Sequence, residues 1–205
     1  KFSEYVTIQN NKIHDPFGTN RYSFYEATGI RVESFSNYCK IYNNLIYDFK
    51  SYGNQYGLYY ESNTNVSFNT VSLIDTLSLF GSTYGAFSQF TFSAPSTPST
   101  TNNRSGSGVH IGLNYGFIDP IISNNNLIYL TRNYGGTYFY GKWGSVNSNN
   151  LTNFQTVSSI EMGSLETNPL LTSSTILVPK VGSPVVNAGI PIAGIQNDFI
   201  GISRN

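Results

Sequence analysis

Ile41-Tyr42-Asn43-Asn44-Leu45-Ile46 is the stretch on which the fold turns, because its frame of apolar, any, any, Asn, any, apolar returns along the chain. The frame recurs in Ile8-Gln9-Asn10-Asn11-Lys12-Ile13, Val66-Ser67-Phe68-Asn69-Thr70-Val71, Ile122-Ser123-Asn124-Asn125-Asn126-Leu127 and Val146-Asn147-Ser148-Asn149-Asn150-Leu151. The aligned asparagines are 33, 25, 56 and 24 residues apart, so turns of 24 to 33 residues accompany one double-length step. That is the period of a β-solenoid coil, a unit that buries its apolar face only by stacking on its neighbours.

A second phrase interleaves with the first: Gly29-Ile30-Arg31-Val32-Glu33-Ser34, Gly57-Leu58-Tyr59-Tyr60-Glu61-Ser62, Gly108-Val109-His110-Ile111 and Gly136-Thr137-Tyr138-Phe139-Tyr140. Strand alternation then puts Ile30, Val32, Leu58, Tyr60, Val109, Ile111, Thr137 and Phe139 on an inward face and their neighbours outward. The predicted fold is all-β, a right-handed parallel β-helix of about 5–7 coils forming one domain over residues 1–205. The pattern is already under way at Lys1, so the chain is expected to be part of a longer one.

With coils about 4.8 Å apart, matching positions line up in columns along the axis. Asn11, Asn44, Asn69, Asn125 and Asn149 are expected to form one such column, a structural ladder at a bend. There Asn tolerates left-handed backbone and its amide can bond to the amide of the next coil. Ile8, Ile41, Val66, Ile122 and Val146 are expected to stack inward beside it.

Between Asp75 and Gly108 the repeat is not legible. The run Ser93-Ala94-Pro95-Ser96-Thr97-Pro98-Ser99-Thr100-Thr101-Asn102-Asn103 reads as a loop, giving a predicted insert of about 76–107. Such an insert either shapes a binding surface or is a plain surface excursion.

Composition narrows the function classes. Only 11% of residues are charged, and eleven basic side chains balance eleven acidic ones. A usual chain carries roughly 25% charge. No field is available to steer nucleic acid or anionic lipid, so nucleic-acid binding is not expected. Aromatics reach 15%, with sixteen Tyr and fourteen Phe, a composition that favours strands. No apolar run approaches the roughly 20 residues of a membrane span, so no membrane insertion is expected. The single Cys39 allows no disulfide within the chain and reads as a small buried apolar residue.

The closing segment carries a resemblance. Glu166-Thr167-Asn168-Pro169-Leu170-Leu171, then Gly182-Ser183-Pro184-Val185-Val186-Asn187-Ala188-Gly189, then Asn197-Asp198-Phe199-Ile200-Gly201-Ile202-Ser203-Arg204-Asn205 resemble the end of the bacterial secreted right-handed parallel β-helix repeat proteins. In that pectate-lyase-like family, often exported by type IX secretion, a "DP-F" phrase precedes "GSP-I-AG" and "D-DG--R". The resemblance implies a capping segment at about 152–205 and an exported protein, extracellular or at the cell surface. It selects no activity, since the family spans lyases, hydrolases and adhesins. Asn168 stands where the family has Asp before Pro, which weakens any idea of a cation held at that turn.

Chemistry is sparse. On the outward face of the second phrase, Arg31, Tyr59, His110 and Tyr138 are expected in one column and Glu33, Glu61, Gly112 and Tyr140 in the next. Two carboxylates on successive coils repel, so one of Glu33 and Glu61 could hold a proton and act as general acid beside an ionised partner. Flanking rings could stack on sugars, the layout of a glycan groove. Equally, carboxylates at strand ends bond to turn amides or to Arg31 across the ladder. The candidate ligand-binding residues are therefore Arg31, Glu33, Tyr59, Glu61, His110, Tyr138 and Tyr140, with Glu33 and Glu61 as the catalytic alternative.

No metal or cofactor is expected. Asp15 and Asp48 align but read as turn formers, and His14 and His110 lie in different phrases. Two readings remain. One is a non-catalytic surface module, an adhesin, stalk or filament-building protein, whose polar, Tyr-rich walls contact glycan or other copies and whose solenoid ends could self-associate. The other is a polysaccharide lyase or glycoside hydrolase working on the Glu33/Glu61 face.

Overall fold

A computed structural model describes residues 5–18, 24–33, 38–49, 51–61, 64–75, 81–88, 100–104, 109–116, 125–130, 136–173, 176–191, 193–198 and 200–203. The chain winds through three sheets in turn. The first coil supplies β1 (Thr7–Gln9), β2 (Lys12–His14) and β3 (Ala27–Val32). The second supplies β4 (Cys39–Tyr42), β5 (Leu45–Tyr47) and β6 (Gln55–Tyr60), and the third β7 (Thr64–Ser67), β8 (Thr70–Asp75) and β9 (Thr83–Ser88). The fourth gives β10 (Thr100–Arg104) and β11 (Val109–Tyr115), and the fifth β12 (Ile128–Leu130) and β13 (Thr137–Trp143). Strand β14 (Val146–Ser148) and helix α1 (Leu151–Ser158) follow.

Every pairing between coils is parallel, and the result is a parallel β-helix. A short sheet runs β1-β4-β7, a middle sheet β12-β10-β8-β5-β2 and a long sheet β14-β13-β11-β9-β6-β3. In the long sheet Ala27 pairs with Gln55, Gln55 with Thr83, Thr83 with His110 and His110 with Tyr138. The period in this sheet is therefore 27 or 28 residues, and the double-length step in the sequence is two turns, from Val71 to Thr100 and from Thr100 to Ile128 in the middle sheet. The segment expected to be an insert supplies β9 and β10, which sit inside the long and middle sheets like any other strand. Residues 76–80, 89–99 and 105–107 of it lie outside the described part.

Apolar stacks fill the interior. Ile41 and Val66 are fully buried, with Ile8 above them at the first coil; Ile46, Val71 and Ile128 fill the middle sheet, and Ile30, Leu58, Ala86 and Leu113 the long sheet. Cys39 is buried among them. Val146, expected in the Ile41 stack, is instead 46% exposed. It lies in β14, which turns back through Gly144-Ser145 and pairs antiparallel with β13. Its phrase matched the frame because Asn is so common in this chain. Ile122 lies outside the described residues.

The long strands carry a shared kink. Gly29, Gly57, Gly85 and Gly112 fall at one level, and a Cβ on Gly29 would lie 2.6 Å from Ile46 Cγ2 and 2.6 Å from the Gly57 oxygen. Gly57 faces Val71 in the same way, and Gly112 faces Ile128. The glycine and the residue after it both face inward, so alternation shifts by one across the kink.

That shift corrects the expected faces. The phrase beginning at Gly108 or Gly136 was aligned four residues too early, since the true partners of Gly29 are Gly112 and Tyr140. In a straight strand an even slip keeps each side chain on its face; across this kink it does not. Val109 and Thr137 are consequently exposed, whereas Tyr138 and Tyr140 are buried.

The asparagine column divides its work between two neighbouring positions. Asn10, Asn43, Phe68 and Asn125 take left-handed backbone, with φ of 57°, 55°, 51° and 56°. The residues after them form the ladder. Asn11 Nδ2 donates to Asn44 Oδ1 at 2.9 Å, Asn44 Nδ2 to Asn69 Oδ1 at 2.8 Å, and Asn69 Nδ2 to the Ile41 carbonyl at 2.8 Å. Asn126, not Asn125, stands at the ladder level in the fifth coil, since Thr100 pairs with both Val71 and Ile128. Asn149 is exposed at the entry to α1. Asp15 and Asp48 take left-handed backbone at the next corner, as turn formers should.

The last coil is closed by α1. Asn150 caps it, accepting from the Asn153 amide at 2.8 Å, and Ser159 ends it in left-handed backbone with its N–H on the Gln155 carbonyl. Phe154 is fully buried, its ring 5.7 to 6.4 Å from those of Tyr115, Tyr140 and Trp143. Below it the buried Glu161 takes over from the ladder. Asn126 Nδ2 donates to both of its carboxylate oxygens at 2.8 and 2.7 Å, and the Ser164 hydroxyl donates to one of them.

Candidate functional site

Between kink and strand end, the outer face of the long sheet gathers most of the polar and aromatic candidates. Arg31 pairs in register with Tyr59, and its guanidinium carbon lies 4.4 Å from the centre of the Tyr59 ring. The same guanidinium reaches Glu33 at 3.1 Å and Glu26 at 3.4 Å. The Tyr59 hydroxyl donates to Glu61 Oε1 at 2.5 Å. Glu61 N–H donates to the Val32 carbonyl at 2.9 Å, which sets Glu61 beside Glu33 on the next coil, as expected.

Each carboxylate thus has its own partner: Glu33 has Arg31, and Glu61 has Tyr59. The Glu33 side chain is 68% exposed, a solvated ion pair of small energetic weight. Tyr59 points outward as expected yet is only 9% exposed, because Arg31 covers its ring and Tyr56 meets it edge-on at 5.5 Å. Burial, then the hydrogen bond to Glu61, pushes its hydroxyl up to about 12.

A second outward column supplies Tyr56 and Tyr84, stacked at 4.8 Å with planes 9° apart. Burial and the neighbouring Tyr84 hydroxyl push Tyr56 up to about 12. The phrase search missed both residues, because they precede the glycine on which the phrases were aligned. Period-two alternation carried backwards through Tyr56-Gly57 gives the wrong face, so only the register could place them.

The remaining candidates fall elsewhere. His110 aligns with Tyr138 in a column with Ala27, Gln55 and Thr83, not with Arg31 and Tyr59; its side chain lies outside the described part. Tyr138 is buried at that level, and Tyr140 is fully buried beneath Phe154, its hydroxyl without a hydrogen-bond partner among the described residues. Neither ring lines the wall with Glu33 and Glu61. By register the Arg31–Tyr59 column continues instead through positions 87, 114 and 142, which are Phe87, Asn114 and Lys142.

Chemically, the wall offers a guanidinium, three carboxylates and the tyrosines Tyr56, Tyr59 and Tyr84. It is suited to hydrogen-bonding a hydroxyl-rich surface. Among the described residues, no three His, Cys, Asp or Glu side chains come together as metal ligands would. The sequence matches no family model, and neither a curated protein nor a solved structure matches it.

Proposed function

We propose that this chain is a non-catalytic extracellular β-helix module that contacts glycan through the wall formed by Arg31, Tyr56, Tyr59 and Tyr84. The observation that carries the reading is repetition. Outward groups recur at one level on successive coils, with Tyr56 and Tyr84 stacked at 4.8 Å. A polysaccharide lying along the solenoid axis meets a tyrosine at Tyr56 and again one coil on at Tyr84, because the coil repeat is close to the length of a sugar residue. Tyrosine combines an apolar ring with a hydroxyl, which suits it to the two kinds of surface a sugar presents.

The resemblance of the closing segment to secreted parallel β-helix repeat proteins supports an exported location, at the cell surface or beyond it. The partnering of Glu33 with Arg31 and of Glu61 with Tyr59 favours binding over cleavage, since neither carboxylate stands ready as a lone acid or base. Affinity electrophoresis through plant, algal and bacterial polysaccharides tests the reading. Retardation in at least one gel, lost in Tyr84→Ala, is the expected result. Migration unchanged in every gel, or new reducing or unsaturated ends that vanish in Glu61→Gln, would overturn it.

A further inference from the structure

The outer face of the short sheet holds a separate feature. Register places Lys40 beside Asn65 and Tyr42 beside Ser67, all four on strand positions facing away from the core. The chain after the helix returns over this face. Asn43 Nδ2 donates to the Asn197 carbonyl at 2.9 Å, and Asp198 Oδ1 accepts from the amides of Ile200 and Ile202, which fixes the turn. Between sheet and tail lies a cleft of about 160 Å³, lined by Lys40, Tyr42, Asn65, Ser67 and the Ala193–Ile195 stretch.

Among the described residues, the Lys40 ammonium makes no ion pair or hydrogen bond, and the Tyr42 hydroxyl, Asn65 amide and Ser67 hydroxyl make none either. Ser67 is only 3% exposed. Tyr42 is half-buried and Lys40 and Asn65 reach solvent, so the four polar side chains converge on one cleft without bonding one another and are open to a ligand that enters it.

We propose that this cleft binds a small polyhydroxylated carboxylate, a sugar acid of one ring. Among the described residues Lys40 is the one charged side chain lining it, so the ligand carries a negative charge. Tyr42, Asn65 and Ser67 supply donors and acceptors for ring hydroxyls, and Ala193 and Ile195 give a C–H face an apolar wall. The volume admits a unit of about the size of one ring. The site lies on a different sheet from the tyrosine wall and does not depend on it.

Titration of the 15N-labelled chain with sodium D-glucuronate, D-glucose and sodium acetate tests the proposal. Glucuronate should shift the amides of Lys40, Tyr42, Asn65, Ser67 and Gly194 and saturate, with glucose lacking the charge and acetate lacking the ring each about tenfold weaker or worse. Lys40→Ala should weaken glucuronate about tenfold with the rest of the spectrum unchanged, Lys40→Arg should keep most of the affinity, and Tyr84→Ala should have no effect. An oligosaccharide ending in glucuronate distinguishes a chain end from the free acid: equal shifts mean the site takes the terminal unit, and no shifts mean the free acid alone. Absence of saturable shifts with glucuronate, or shifts that survive Lys40→Ala and Ser67→Ala undiminished, would overturn it.

Discussion

Asn44 Nδ2 donates to Asn69 Oδ1 at 2.8 Å with both residues fully buried, so each coil hands its corner amide to the next. Asn44 also accepts from the Asn11 amide, and its two N–H groups are shared among Asn69 Oδ1 and the Ile8 and Tyr42 carbonyls. Asn44→Ala strands several buried groups at once. Each costs about 1–3 kcal/mol, so a loss of about 2–5 kcal/mol is expected in urea unfolding. Asn11→Ala, at the exposed first rung, should lose about 1 kcal/mol or less.

The kink supplies a sharper contrast. Gly57→Ala puts a methyl into Val71 and the Gly85 backbone oxygen, neither of which can move without shifting a neighbouring coil. A loss of about 1–3 kcal/mol is expected, as for overpacking of a filled core. Gly182→Ala, at positive φ in open space, should be milder, limited to backbone strain of about 1 kcal/mol. Equal effects in thermal melts would show that the close approach at Gly57 does not exist.

Phe154→Ala removes the plug from the last coil. Its fully buried ring meets Tyr115, Tyr140 and Trp143, so about 3–5 kcal/mol should be lost. Because coils contact only their neighbours, hydrogen exchange should quicken first in β13 and β11, while β4 and β5 stay protected.

Stability should fall in alkali. Tyr56 and Tyr59 ionise at about 12 in the folded chain, above the ordinary value of 10. In that interval the unfolded chain releases protons that the folded chain keeps, so the contribution is intact below pH 10 and is lost as pH rises toward 12. Burial raises Tyr60 and Tyr140 further, which extends the decline. Urea midpoints at pH 8, 10 and 11 check this; Tyr59→Phe should flatten part of the slope.

Much of this was legible in the sequence and some was not, for physical reasons. The Asn11, Asn44 and Asn69 rungs and the Ile41–Val66 stack followed from the repeat, since a corner and a core position each demand one residue type. Asn124-Asn125-Asn126 offered three equivalent letters, and only the pairing of Thr100 with Ile128 shows that Asn126 holds the rung. The fourth coil was hidden because Pro98 precedes Thr100 by two residues where the frame has Asn, and β9 was missed because its phrase Gly85-Ala86-Phe87-Ser88 lacks the Glu-Ser ending of the first two. Of the candidate wall, Arg31, Glu33, Tyr59 and Glu61 do come together, whereas Tyr138 and Tyr140 drop into the interior because alternation slips at the glycine. The Glu161 carboxylate under the ladder had no local signature, as its partner Asn126 lies 35 residues away.

The most direct test of the central claim is calorimetric titration with a length series of oligosaccharides drawn from whichever polysaccharide the chain retains. A wall that repeats with the coil predicts affinity rising with each added sugar until the wall is spanned, a rise abolished in Arg31→Ala/Tyr84→Ala, and oligosaccharides recovered at full length. Affinity independent of length, or recovery of shortened products, would contradict a non-catalytic glycan-binding wall.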